Sequence, residues 1–113
     1  MARIPILDRV PVRHREFEVE DDLVIVQVPR FDGRIGAWLV RRLRRPNYRV
    51  RLDRFGTDVW RLCDGARTVR EIAQVLRGKH GEEIEPAEER VAGFLQRMDR
   101  ARCLLLPDKR SDT

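Results

Sequence analysis

The chain has 113 residues, 42% of them hydrophobic and 38% charged, with a net charge of +5. That length encloses one hydrophobic core, and the balance is too apolar for a disordered chain and too polar for a membrane protein. The longest uncharged apolar stretch beside the basic segment runs only from Ile35 to Val40, far short of the roughly 20 residues of a spanning helix; with no apolar core of a secretory signal at the N-terminus, a cytoplasmic location is expected.

Residues 14–28 read as a hairpin. Phe17 and Val19 alternate with Glu16, Glu18 and Glu20, and Leu23 to Val28 form a largely β-branched run. Glu20-Asp21-Asp22 supplies the turn, and Pro29 ends the second strand because it has no N–H for a ladder. Residues 30–46 place Ile35, Trp38, Leu39 and Leu43 on one helical face, but Arg42 falls in the middle of it and Pro46 halts any helix. A short basic helix or a structured loop is expected there. Tyr48, Val50 and Leu52 then alternate with Arg49 and Arg51, which predicts a third strand buried on one face.

The helical signals follow. Asp53 is placed to cap a helix whose apolar positions are Phe55, Val59, Trp60, Leu62 and Cys63, and Asp64-Gly65 closes it. Thr68 with Glu71 makes a capping box, after which Val69, Ile72, Ala73 and Leu76 recur on one face until Gly78 or Gly81 ends the helix. Pro86 suits the first position of a third helix, with Glu88 and Glu89 near the positive end of its dipole and Ala87, Val91, Phe94, Leu95 and Met98 in one apolar stripe. Cys103 to Leu106 predicts a short terminal strand.

These elements make an α+β fold compatible with a winged-helix-like architecture: a three-stranded antiparallel sheet followed by three helices. One domain over residues 1–107, with 30–46 as a basic insertion and 108–113 as a mobile tail, accounts for the chain.

The charge is concentrated. From Arg30 to Arg54 nine Arg face Asp32 and Asp53, a local +7, whereas the remainder carries −2. Such asymmetry suggests an anionic partner. Arg41, Arg42, Arg44 and Arg45 beside Trp38 could meet phosphates and stack a base, or rest on a lipid surface, so a nucleic-acid-binding winged-helix regulator using residues 30–54 is one reading. A solvated Arg face is the plain alternative, since Arg outnumbers Lys 22 to 2 along the whole chain.

Catalysis finds no support. The chain has two His, one Ser, in the tail, and no G-x-S-x-G or G-x-x-x-x-G-K motif. Cys63 and Cys103 belong to no paired motif and read as buried, reduced thiols. Together with His14 and His80 they lack the close pairs of a metal site. No cofactor is implied.

Leu52, Gly56, Val59-Trp60, Asp64-Gly65 and Thr68-Val69-Arg70-Glu71-Ile72 occur in an order and spacing that resembles the PqqD-like family. The helix ending Phe94-Leu95-Gln96-Arg97-Met98 and the apolar strand after it are similar to that family too, so the resemblance covers roughly residues 48–106 well and the hairpin loosely. These are folding residues, and they identify a scaffold. The resemblance implies a RiPP recognition element: a non-catalytic, peptide-binding chaperone in the biosynthesis of ribosomally made, post-translationally modified peptides. In the family the leader segment of a precursor peptide adds a strand beside the third strand and packs on the third helix. The domain then presents it to a modifying enzyme, often of the radical S-adenosylmethionine type. Carried onto this chain, the strand is Tyr48, Arg49, Val50, Arg51 and Leu52, and the groove wall is Val91, Phe94, Leu95 and Met98. The physical logic is β-augmentation. The basic segment 30–46 departs from the family's minimal pattern.

Overall fold

Two aspartates close the first hairpin. The computed structural model describes residues 3–29 and 47–108, and in it Asp21 and Asp22 both take positive φ, 55° and 64°. A two-residue turn needs that conformation to match the twist of its strands, and Asp tolerates it better than most residues. Strand β1 (Val12–Arg13) precedes the hairpin strands β2 (Phe17–Glu20) and β3 (Leu23–Pro29), and β4 (Asn47–Arg51) completes an antiparallel sheet in the order β2-β3-β4. The segment 30–46 lies outside the described residues, and so do the basic patch and Trp38.

Three helices follow: α1 (Arg54–Leu62), α2 (Val69–His80) and α3 (Ala87–Arg100). Asp53 caps α1 by accepting from the Gly56 N–H at 2.7 Å. Thr68 and Glu71 form the reciprocal capping box of α2, and Gly81, at φ 66°, follows that helix where a side chain would be strained. Pro86 sits one residue earlier than the sequence suggests. It is the N-cap of α3 rather than its first helical residue, and the Glu85–Pro86 bond is cis. The terminal strand is β5 (Leu104–Leu105), which pairs with β1 as a separate two-stranded ribbon, Val12 opposite Leu105. Two residues in a strand have no readable period, so β1 leaves no sequence signal.

The core lies between β3 and the helices. Val24, Val26 and Val28 turn inward to meet Val59 and Trp60 of α1, Ile72 and Leu76 of α2, and Val91 and Leu95 of α3, all essentially inaccessible. Trp60 is the largest of them, and Phe17 meets its ring edge-on at 5.7 Å. A buried hydrogen bond from the Val24 N–H to Thr57 Oγ1, 3.0 Å, joins β3 to α1.

A polar tie joins the helices. Asp58, buried on α1, accepts from Lys79 Nζ at 3.1 Å and lies 2.8 Å from His80 Nε2, both at the end of α2. Burial pushes the Asp58 carboxyl up, but the hydrogen bonds and charges of His80 and Lys79 outweigh it, leaving the pKa below the ordinary aspartate value.

Two outcomes follow from this packing. Trp60→Ala should cost about 3–5 kcal/mol, and calorimetry returning a melting point within about 2 °C of the parent would contradict the anchor role. For Asp58 the depressed pKa means that the ionised form stabilises the fold above the ordinary aspartate range, and that this contribution is lost as pH falls through the folded-state value, below about pH 4. Asp58→Asn should therefore destabilise the protein at neutral pH by about 1–3 kcal/mol and flatten the acid limb of a stability–pH profile. An unchanged limb would assign the acid sensitivity elsewhere.

Candidate functional site

Hydrogen-bond alternation decides what an edge strand offers. In an antiparallel pair, every second residue exchanges both backbone bonds with its opposite number, and the residues between point theirs away. The Leu52 N–H donates to the Val24 carbonyl at 2.8 Å. With Val26 opposite Val50 and Val28 opposite Tyr48, residues 48, 50 and 52 turn their backbone toward β3. Arg49 and Arg51 turn theirs to the outer edge, where no described strand pairs with them. Neither composition nor side-chain alternation distinguishes these two sets.

The side chains divide along the same period. Leu52 is buried and Val50 packs partly against the core, whereas Tyr48 stays half exposed. Arg49 and Arg51 face away from the helices, over the same surface as Glu18 and Glu20. Arg49 bridges both carboxylates at 3.4 and 3.7 Å and Arg51 reaches Glu20 at 3.4 Å. All four are about half exposed, so each pair contributes little stability. They do leave the two guanidiniums partly neutralised, which weakens any long-range pull on an acidic partner.

On α3 the four expected wall residues separate. Val91, Leu95 and Met98 are buried core residues, while Phe94 keeps accessible surface. Its ring meets Phe55 edge-on at 5.8 Å and covers Gly56, where an added Cβ would lie 2.9 Å from the Phe94 ring. Phe55 follows β4 within a few residues and carries Arg90 over its ring at 4.8 Å. It therefore joins the end of the strand to the accessible part of α3, a role hidden in the sequence because it reads as an ordinary position on the apolar face of α1. Beyond Phe55 opens a cavity of about 190 Å³ lined by Arg54, Phe55, His80, Glu83, Ile84 and Arg90.

The reactive side chains have structural duties. Burial pushes the Cys63 thiol up to about 12, despite nearby Arg13, and raises Cys103 as well, so neither supplies a thiolate at neutral pH. Asp64 accepts from the backbone N–H groups of Ala66 and Arg67 and from the Arg67 guanidinium, which makes it the turn residue after α1. Among the described residues no three side chains converge as a metal site, and no helix is long and apolar enough to cross a membrane.

A family model described as Coenzyme PQQ synthesis protein D (PqqD) matches residues 36–104. No curated protein and no solved structure gives a match.

The alternation has a direct test in the fold itself. Val50→Pro removes an N–H from the β3–β4 ladder and should cost on the order of 3 kcal/mol, whereas Arg49→Pro removes an outward N–H and should melt within about 5 °C of the parent. Equal damage from the two prolines, measured by thermal melts, would show that the strand is paired the other way.

Proposed function

The chain belongs to the PqqD family, matched over more than half its length, and on that footing we propose that it is a non-catalytic chaperone capturing the leader segment of a precursor peptide along the outer edge of β4. The observation that carries this reading is the outward backbone of Arg49 and Arg51 on an edge strand. Members of this family are accessory, peptide-binding partners of modifying enzymes in cofactor and ribosomal-peptide biosynthesis. A captured leader gains main-chain hydrogen bonds from that edge, and its alternate side chains reach Tyr48, Val50, Phe55 and Phe94 on the helix side. Leu52, Val91, Leu95 and Met98 support this surface from within the core. Arg49 and Arg51 line the opposite side and favour acidic residues in the peptide, at the expense of their pairs with Glu18 and Glu20. Presentation to a modifying enzyme, of the radical S-adenosylmethionine type, and a cytoplasmic location complete the proposal.

The nucleic-acid reading has one observation in its favour, the local charge of residues 30–54. Against it, α3 opens with Glu88 and Glu89, which repel phosphate.

Amide NMR with labelled protein tests the choice, using leader segments of short precursors encoded by neighbouring genes. Binding should shift the amides of Arg49 and Arg51, and Arg49→Pro should weaken it at least about tenfold without unfolding the sheet. Phe94→Ala should mainly speed dissociation. Perturbations clustering away from residues 47–55 and 90–98 would sink the site. Tight DNA binding that collapses with added salt and with Gln at Arg41, Arg42, Arg44 and Arg45 would replace the peptide reading altogether.

A further inference from the structure

The sheet has a second edge, β2, and nothing above employs it. The Gln27 N–H donates to the Glu16 carbonyl at 2.8 Å, and Glu18 lies opposite Ile25 and Glu20 opposite Leu23. Residues 16, 18 and 20 therefore turn their backbone groups to β3, and Phe17 and Val19 turn theirs outward. Every residue of β2 is exposed. Phe17 meets Trp60 and has Arg13 over its ring at 5.8 Å, yet keeps 42% of its surface, and Val19 keeps 52%, so the apolar side of this strand is only partly covered.

An edge of this kind is a template for another strand. Proteins commonly blunt such edges by keeping the strand short or with lysine, proline or a bulge; β2 is four residues long and has no lysine, proline or bulge. Its protection is a row of carboxylates, Glu16, Glu18 and Glu20, on the face away from the helices. Gln27, Arg49 and Arg51 engage Glu18 and Glu20, but two guanidiniums stand against three carboxylates, and the Glu16 carboxylate has no partner among the described residues. Counted over the described residues, the row keeps a net negative charge.

That charge selects the occupant. A second copy pairing β2 against β2 would bring the Glu rows side by side, a like-charge arrangement that destabilises a sheet. A strand alternating Lys or Arg with apolar residues fits both faces, its cations along the Glu row and its apolar side chains beside Phe17 and Val19. We propose that the outer edge of β2 is a second strand-addition site, which takes a basic–apolar alternating segment of a protein partner while the β4 edge stays open. This does not depend on what occupies β4.

The test uses the full chain, isotopically labelled, with two blocked synthetic peptides: Lys-Val-Arg-Val-Lys-Val and Glu-Val-Glu-Val-Glu-Val. The basic peptide should shift the amides of Phe17 and Val19 and slow their hydrogen exchange, and the acidic peptide should leave both unchanged. Val19→Pro removes an outward N–H and not a ladder bond, so affinity for the basic peptide should drop at least about tenfold. Glu16→Lys, at an exposed position with no side-chain partner to lose, should weaken binding several-fold and remains decisive if the proline unsettles the hairpin. Shifts centred on Arg49 and Arg51, equal binding of the acidic peptide, or unchanged affinity in Glu16→Lys would each overturn the assignment. So would broadening of the β2 amides with protein concentration alone, which would make a second copy the occupant.

Discussion

Val24 is the point on which the geometry turns. Its carbonyl takes the Leu52 N–H, and its own N–H goes to Thr57 Oγ1. By the alternation of the ladder that N–H faces β4, but the chain there has already turned into α1. A helix hydroxyl stands in for the missing strand partner, so the buried Val24 N–H is not left unpaired. One residue thus fixes the register of β4 and docks α1 on the sheet. A slip by one residue would exchange the inward and outward sets at once, burying Arg49 and Arg51 and exposing Val50. Register, core and the outward backbone of β4 therefore stand or fall together.

From that junction the sheet acquires a polarity running across its strands. On the face away from the helices, β2 presents carboxylates, β4 presents guanidiniums, and between them β3 presents Ile25, buried to 2% although it lies outside the main core. Its cross-strand neighbours are Glu18 and Arg51, both about half exposed. The surface ion pairs add little stability. Their larger consequence is that the two edges of one small sheet differ in charge, carboxylates along one and guanidiniums along the other.

Where a signal is local, the sequence carries it. The Asp53 cap and the Thr68/Glu71 box each satisfy backbone groups within a few residues and stand in the structure as read, while the turn expected at Glu20-Asp21-Asp22 is made by Asp21 and Asp22 alone, Glu20 being the last residue of β2. Non-local facts are another matter. Alternation marks Phe17 and Val19 as an inward face, but how far a helix covers that face depends on how α1 docks: Trp60 meets Phe17, yet both residues stay about half exposed. The stripe on α3 reads as one wall, yet Val91, Leu95 and Met98 serve the core and Phe94 alone among the four candidates retains accessible surface. Ladder alternation is invisible for a deeper reason: it belongs to the pairing of two strands and not to the residues of either.

That distinction explains why the family pattern and the outer edge of β4 barely overlap. Trp60, Gly65, Thr68 and Glu71 are constrained because packing volume, positive φ and capping each demand a particular side chain. Strand addition makes no such demand, since N–H and C=O groups are the same for every residue but proline. A scaffold can keep its recognition edge while the side chains along it change. If a peptide adds to this edge, its preference resides in the flanking positions, here Tyr48, Val50, Phe55 and Phe94 on one side and Arg49 and Arg51 on the other. The motif that identifies the fold constrains none of the charge or apolar complementarity that would choose the peptide.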